Sequence, residues 1–220
     1  MAPRPLIALL LLVSSLGAAP GAAPAAECVA LDDFSRGRPG ELPPEWKARK
    51  ESGRSVYSIQ EEGGRRFLRG IARRIGIQVG REAAWNLEAY PILAWSWRPI
   101  EFPTNADERR SGTNDSAVSV YAVFPTSAVS ARSVKYVWSR VVPAGTHLTS
   151  SAGNTQVRIL RSSAQAGQWA DERVNVRQDY QKYFGGSEVP KPGGIAVLTD
   201  SDDTKSSAQG DYANFRVCKP

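Results

Sequence analysis

The stretch Pro91-Ile92-Leu93-Ala94-Trp95-Ser96-Trp97-Arg98 decides the fold class. Leu93, Trp95 and Trp97 alternate with other residues, and a period of two is the spacing of a β-strand with its larger side chains on one face. The three side chains therefore predict a strand that supports a heavy aromatic layer.

Segments on both sides of this stretch show strand-like apolar or alternating patterns, and glycines at Glu61-Glu62-Gly63-Gly64-Arg65 predict a hairpin turn. The segments are residues 29–34, 55–60, 66–71, 76–80, 117–124, 133–138, 155–160, 194–199 and 212–217. Only residues 174–184 have a helical pattern. About ten short strands separated by turn residues predict an all-β, antiparallel, jelly-roll-like β-sandwich that forms one domain over residues 27–220.

Length and composition limit the class of protein. The chain has 220 residues, of which 41% are hydrophobic, and it contains six Trp residues. These values exclude a disordered chain, and the scattered Gly and Pro residues exclude collagen and coiled coil. The formal net charge of +6 is spread without a basic block, so we do not expect a nucleic acid as partner.

Residues 1–26 have the features of a secretory signal peptide. One charged residue, Arg4, precedes the apolar run Leu6–Val13, and small residues follow as far as Ala26. The run is shorter than a comfortable membrane span, so we predict cleavage after Ala25 or Ala26 and no membrane span in the remaining chain. The protein would then be exported, to the periplasm or the extracellular space. The alternative is an uncleaved N-terminal anchor.

Cys28 and Cys218 are the two cysteines of the chain. In an oxidising compartment an even pair with no other metal ligand nearby predicts a disulfide, and two free thiols are the alternative. A bond that closes nearly the whole exported chain would stabilise it by about 4 to 5 kcal/mol in the chain-entropy model. It would also place the end strands side by side, and antiparallel pairing near that register brings Asp32 close to Asn214.

A set of short phrases spans nearly all of the chain after Ala26. They are Leu31-Asp32-Asp33-Phe34-Ser35, Leu42-Pro43-Pro44-Glu45-Trp46, Trp95-Ser96-Trp97-Arg98, Asp107-Glu108-Arg109-Arg110, Asn114-Asp115-Ser116-Ala117, Lys135-Tyr136-Val137-Trp138-Ser139 and Ile195-Ala196-Val197-Leu198-Thr199-Asp200-Ser201-Asp202. Together they resemble the bacterial family called domain of unknown function 3047, whose name assigns no activity. The opening and closing strands are also similar to those of secreted carbohydrate-binding jelly rolls, and this implies an envelope or environmental polysaccharide as partner.

The loop Thr199-Asp200-Ser201-Asp202-Asp203-Thr204 follows a strongly apolar strand. Carboxylates at alternating positions suit Ca²⁺, so Asp200, Asp202 and Asp203 are candidate metal ligands. A solvated turn is the alternative, because Asp and Ser favour turns on their own account. The jelly-roll similarity implies a second candidate Ca²⁺ site where the termini meet, formed by Asp32, Asp33, Asp211 and Asn214.

The loop at residues 107–115 contains a carboxylate that could take part in catalysis. If it folds towards the loop at 199–204, Asp115 and either Asp200 or Asp202 become the paired carboxylates of a polysaccharide hydrolase or lyase. The alternative is a surface loop in which its acidic residues pair with Arg109 or Arg110. The Glu-x-Asp-x-x-Glu phrase of lectin-fold glucanases is absent, and this weighs against an enzyme.

The strand at 133–138 places Lys135 and Val137 on one face and Tyr136 and Trp138 on the other. Aromatic residues at strand period usually pack between sheets, so we expect the aromatic pair in the core and Lys135 on the opposite face, where it can meet an acidic ligand. The alternative exposes the aromatic pair as a platform for a sugar ring. Turn-rich surroundings make Trp46 and Trp169 the aromatics most open to exposure, although residues of this kind more often fill the core than contact a ligand.

Other chemistry finds little support in the sequence. There is no nucleotide-binding glycine loop, no zinc-ligand spacing and no nucleophile motif that would use the single residue His147. We therefore predict a binding module for an envelope or environmental glycan rather than an enzyme. Its expected ligand-contacting residues are Lys135, Asp115, Asp200, Asp202 and Asp203. The alternatives are the polysaccharide-acting enzyme, with Asp115, Asp200 and Asp202 as catalytic candidates, and an envelope structural partner without a small ligand.

Overall fold

The computed structural model describes residues 27–220, and the predicted signal peptide at 1–26 lies outside them. The described residues form thirteen strands, one α-helix and one 3₁₀ helix, Glu51–Ser55. The strands are β1 (Cys28–Asp32), β2 (Trp46–Ala48), β3 (Tyr57–Glu62), β4 (Arg65–Arg73), β5 (Val79–Glu82), β6 (Ile92–Glu101), β7 (Val118–Pro125), β8 (Ala131–Ser139), β9 (His147–Thr149), β10 (Thr155–Ser162), β11 (Ala170–Asn175), β12 (Gly194–Leu198) and β13 (Ser207–Cys218). The helix is α1 (Val176–Phe184).

The strands form two sheets that pack face to face as a jelly-roll-like β-sandwich. The six-stranded sheet has the order β11-β6-β13-β4-β3, with β1 also paired to β13, and the seven-stranded sheet has the order β2-β5-β12-β7-β8-β10-β9. The predicted all-β fold is therefore confirmed, and each of the ten predicted strand segments corresponds to an observed strand.

The aromatic layer predicted from residues 91–98 lies at the centre of the core. Trp95 and Trp97 of β6 are fully buried between the two sheets. The Trp95 ring packs on Tyr136 with its centroid 5.5 Å away, and the Trp97 ring packs on Trp138 at 6.0 Å. Tyr136 and Trp138 therefore face the core, as expected, and Lys135 lies on the outer face of the seven-stranded sheet.

One pair of neighbouring strands departs from the predicted antiparallel pattern. β8 and β10 are parallel, because the chain returns through residues 140–154 and adds β9 to the far edge of β10 before β10 runs beside β8. A hydrophobic alternation of period two is the same in either direction, so the sequence pattern carries no signal for this parallel pair.

The chain ends lie side by side as predicted. Cys28 and Cys218 form a disulfide, and β1 runs antiparallel to β13 with these two residues as partners. The predicted register holds as far as Ala30, and a β-bulge then pairs Asp32 with Phe215 instead of Asn214. A bulge inserts one extra residue into a strand, which shifts every later pair by one.

The helix begins two residues later than the predicted segment. Val174 and Asn175 complete β11, and the Asn175 side chain accepts a hydrogen bond from the backbone N–H of Gln178, which caps α1. Within residues 27–220 no helix is both long enough and apolar enough to span a bilayer.

Trp46 is buried, contrary to the expectation that it is exposed. It is 2% exposed, its ring packs on Phe34 and Phe215, and its indole N–H donates to Asp32. The partners of Trp46 come from both ends of the described chain, so the residues next to Trp46 in the sequence give no sign of its burial. Trp169 is half-buried, with the guanidinium groups of Arg65 and Arg98 each 4.7 Å from its ring centroid.

Candidate functional site

A cleft of about 1120 Å³ lies over the outer face of the seven-stranded sheet. Its floor is formed by side chains of β7, β8, β10 and β12 that point away from the core, and loops around residues 49–50, 76–78, 108–114 and 148–154 form its walls. The cleft is much larger than the pocket of about 290 Å³ beside Trp138 and Trp169, and it is therefore the candidate ligand site.

Strand register sets the order of the floor residues. Tyr121 of β7 pairs with Ala196 of β12 on one side and with Lys135 of β8 on the other, and Lys135 pairs with Val157 of β10. Paired residues in neighbouring strands point to the same face. The central row of the cleft is therefore Tyr121, Lys135 and Val157, with the charged residue in the middle.

Lys135 is the charged residue at the centre of the floor. Its residue surface is 8% exposed, and its ammonium nitrogen lies 5.6 Å from the centroid of the Tyr121 ring. Burial lowers the pKa of Lys135, but the Tyr121 hydroxyl and the carboxylates of Asp200 and Glu108 outweigh it, so the pKa lies above its ordinary value. The side chain is therefore charged at neutral pH.

The cleft carries more positive than negative charge. Four lining residues are basic, namely Arg49, Lys50, Arg109 and Lys135, and one, Glu108, is acidic. Arg109 is already paired with Asp107 through two side-chain hydrogen bonds of 2.8 and 2.7 Å. The other three basic groups have no carboxylate oxygen within 4.0 Å among residues 27–220. Three cations in the cleft thus have no direct counter-charge from the described chain.

A hydrogen bond holds Glu108 in position, and Tyr121 is almost fully buried beside Lys135. The Ser139 hydroxyl donates to Glu108 Oε2 at 2.6 Å, and burial raises the pKa of this carboxyl. Burial also raises the pKa of Tyr121, against the effect of the nearby Lys135 ammonium. At neutral pH the Tyr121 hydroxyl is therefore neutral and able to donate a hydrogen bond to a ligand.

A cluster of three carboxyl groups lies beside one end of the cleft. Asp115 precedes β7, Asp200 and Asp202 follow β12, and one oxygen of each lies within 4.8 Å of the others. The loops at 107–116 and 199–206 therefore do approach each other, which sequence spacing alone does not reveal. The neighbouring residues Asn114 and Leu198 line the cleft, so the cluster borders it.

The three carboxyl groups have different surroundings. Asp115 is fully buried, and it accepts hydrogen bonds from the backbone N–H groups of Asp203 and Thr204 and from the Thr204 hydroxyl. Asp200 is 7% exposed, and its burial, a hydrogen bond to Asp202 and the Asp115 charge raise its pKa to about 8. Asp202 is half-buried. Hydrogen bonds from residues 203–204 thus fix Asp115, whereas Asp200 Oδ1 is buried without a hydrogen-bond donor.

This arrangement does not match a pair of glycosidase carboxyl groups. Such a pair flanks the scissile bond with the two groups about 5 to 9.5 Å apart. Here Asp115 is closed off from solvent and holds the 203–204 backbone in place, so it has no access to a substrate. Asp203, predicted as a fourth member of the site, is exposed and contributes its backbone N–H instead of its carboxylate.

The acidic residues near the termini are engaged by other protein groups and lie outside the three-carboxylate cluster. Asp211 is fully buried between Arg69 and Arg98, and Asp32 accepts from Trp46. The remaining two have local roles: Asp33 accepts from the backbone N–H of Ser35, and Asn214 donates to Ser96. The described residues thus offer no common oxygen site at this place for Ca²⁺.

Sequence reasoning did not identify Tyr121, Arg49 or Lys50 as residues of the cleft. Tyr121 lies beside Lys135 on the outer face because β7 pairs with β8 in a register that places these two residues opposite each other. The sequence alone does not reveal this register. Arg49 and Lys50 lie in the turn between β2 and the 3₁₀ helix, where nothing in the local sequence distinguishes them from other surface cations.

Comparison with known proteins adds a family and several distant structures. The model of a family described as protein of unknown function, DUF3047, matches residues 44–216. No curated protein matches the chain significantly. A non-crystalline cellulose specific carbohydrate-binding module, CBM28, has 12% identity and a TM-score of 0.42, and the match covers 88% of this chain and 96% of that chain.

Two other solved structures show that the similar folds include both a binding module and an enzyme. The mannan-recognising module TmCBM27 has 15% identity and a TM-score of 0.40, with 89% of this chain and 99% of that chain covered. The agarase AgWH50C has 11% identity and a TM-score of 0.39, with 88% of this chain covered, and the match spans only 24% of the agarase chain. These similarities are distant, and none of them identifies a ligand for this chain.

Proposed function

The chain belongs to the DUF3047 family of proteins of unknown function, and we propose that it is an exported binding protein whose cleft takes a segment of an acidic polysaccharide. The observation that carries this proposal is Lys135, a charged residue only 8% exposed at the centre of the cleft floor, whose ammonium has no carboxylate in ion-pair contact. A buried charge is expensive unless it is paired, so an anionic group of a ligand is the natural partner.

The shape and polarity of the cleft support a polymer of sugars. Its volume of about 1120 Å³ is at the upper end of ordinary ligand pockets, which suits a chain segment better than one small molecule. Seven lining residues are Ser or Thr, namely Ser111, Ser130, Ser133, Thr149, Ser150, Ser151 and Thr155. Hydroxyl groups both donate and accept, which matches the hydroxyl groups of a sugar.

Charge selects among sugars. Arg49 and Lys50 at the rim and Lys135 on the floor favour a polymer with regularly spaced carboxylate or sulfate groups over a neutral glucan or mannan. The rim cations mainly raise the association rate and the salt dependence, whereas Lys135, being buried, contributes mainly to slow dissociation.

Export agrees with the covalent structure. The Cys28–Cys218 disulfide is of a kind that persists in oxidising compartments, and the signal-like segment at residues 1–26 precedes it. An acidic polysaccharide of the cell envelope or the surroundings is accessible there.

Replacing Lys135 by Met tests this proposal. Met keeps most of the side-chain length but removes the charge, so the floor stays filled while the ligand loses a charged hydrogen bond, worth about 1.5 to 3 kcal/mol. We therefore expect the Kd for an acidic polysaccharide such as polygalacturonate to rise about 10- to 100-fold, as measured by isothermal titration calorimetry.

The matched control is Lys191→Met, which removes an exposed lysine outside the cleft lining. This variant should bind as the unmodified protein does. Equal affinities for all three proteins would contradict the role of Lys135. Release of oligosaccharide in the same samples would show that the protein is an enzyme rather than a binding module.

A further inference from the structure

The carboxyl cluster of Asp115, Asp200 and Asp202 has one feature that the proposed function does not use. Asp200 Oδ1 is buried, and it has no hydrogen-bond donor among residues 27–220. The residue as a whole is more than nine-tenths buried. A buried carboxylate oxygen without a donor is rare in proteins, and it asks for an explanation such as a bound ion.

The unsatisfied oxygen points into the cluster. A Cβ built on Gly76 would lie 2.0 Å from Asp200 Oδ1 and 2.8 Å from Asp202 Oδ1. Both oxygens therefore lie against Gly76, within 4.8 Å of each other, and only a residue without a side chain leaves room for them there. The Lys135 ammonium makes no ion pair with a carboxylate of residues 27–220 and so does not fill this role.

The third ligand is held rigidly. Asp115 oxygens accept from the Asp203 and Thr204 backbone, and these bonds fix the 200–204 loop relative to β7. Each carboxylate oxygen has two lone pairs, so Asp115 retains acceptor capacity for a cation. Three carboxylates from two separate loops are thus already assembled within 4.8 Å, which reduces the ordering that binding requires.

We propose that Asp115, Asp200 and Asp202 bind one Ca²⁺ ion. The donor set consists of carboxylate oxygens only, which is the chemistry of a hard cation and excludes a soft metal. Ca²⁺ accepts an irregular set of oxygen ligands, completed by water or backbone carbonyls, whereas Mg²⁺ demands a near-ideal octahedron. The ion ties the 107–116 loop to the 199–206 loop beside the cleft. This inference does not depend on glycan binding.

Calorimetric titration of the chelator-treated, dialysed protein with CaCl₂ tests the proposal, and MgCl₂ is titrated separately. We expect one Ca²⁺ per chain and a Kd about tenfold or more below that for Mg²⁺. Asp200→Asn and Asp202→Asn should each weaken Ca²⁺ binding about tenfold or more, because each removes one ligand charge. Asp203→Asn, in the same loop but with its carboxylate outside the cluster, should bind as the unmodified protein does.

The variants separate a lost ligand from a lost fold. Asp202 shares a hydrogen bond with Asp200 alone among residues 27–220, and it is only half-buried, so Asp202→Asn should keep the circular dichroism spectrum and stay close to the melting temperature of the metal-free protein. Added Ca²⁺ should raise the melting temperature of the unmodified protein and of Asp203→Asn, and not that of Asp202→Asn. No Ca²⁺ binding at millimolar concentration, equal Mg²⁺ affinity, or full binding by Asp202→Asn would each overturn the proposal.

Discussion

The double variant Cys28→Ala/Cys218→Ala should lose about 5 kcal/mol of unfolding free energy relative to the oxidised protein. The disulfide closes a loop with a sequence separation of 190 residues, so its main effect is to restrict the unfolded chain. Alanine rather than serine avoids placing a hydroxyl at the fully buried position 218. Guanidinium chloride denaturation followed by tryptophan fluorescence measures the difference.

Reduction of the unmodified protein provides the internal control for this experiment. Dithiothreitol should lower its stability to about that of the double variant, and it should leave the double variant unchanged. Equal stability of the oxidised protein and the double variant would contradict the expectation that the bond stabilises the fold by restricting the unfolded chain.

Asp211→Asn should lower the unfolding free energy by about 3 to 5 kcal/mol, the usual effect of breaking a buried ion pair by removing one partner. Asp211 is fully buried on β13, where Oδ1 accepts from Arg69 at 2.7 Å and Oδ2 accepts from Arg98 at 2.9 Å. Asparagine removes the charge that balances two guanidinium groups and turns one acceptor into a donor facing another donor. Urea denaturation measures the change.

Glu62→Gln is the matched control, since Glu62 also pairs with Arg98, at 2.6 Å, but its side chain is 62% exposed. Removing this exposed charge should change the stability by less than about 1 kcal/mol. If Asp211→Asn and Glu62→Gln had equal small effects, the arginine pair would not depend on the buried carboxylate.

The fold was largely predictable because its signals are local. The alternation of Leu93, Trp95 and Trp97 identifies a strand with one heavily aromatic face, and the glycines at 63 and 64 have the positive φ angles that a tight hairpin needs. The disulfide followed from the compartment and from the even number of cysteines. Each of these inferences uses only residues close in sequence or a count.

The missed features depend on contacts between distant parts of the chain. β2 and β9 have three residues each, too few for an alternating pattern to stand out. β11 has charged residues that pair with β6 residues, with Glu172 accepting from the Trp97 indole, so its pattern does not look like that of a buried strand. The bulge opposite Phe215 and the parallel pairing of β8 with β10 likewise depend on which strands lie side by side, and the sequence of a single strand does not show this.

Some residues of the candidate site could likewise be predicted from local sequence, whereas others depend on contacts between distant parts of the chain. Lys135 was identifiable because strand parity places it opposite Tyr136 and Trp138. Asp115, Asp200 and Asp202 could be named as candidates, but their meeting depends on loop conformation, and the burial of Asp115 removes it from any direct role in catalysis. Arg49 and Lys50 become part of the site only through the fold of the sandwich.

The central claim is that the cleft recognises a polymer by its negative charge. The most direct measurement is a calorimetric titration of the unmodified protein with polygalacturonate and, separately, with the same polymer after its carboxyl groups have been reduced to alcohols. The account predicts binding of the acidic polymer that weakens as salt is raised, and at least about tenfold weaker binding of the reduced polymer. Equal affinity for the two polymers, or binding of neither of them and of no other acidic polysaccharide, would contradict it.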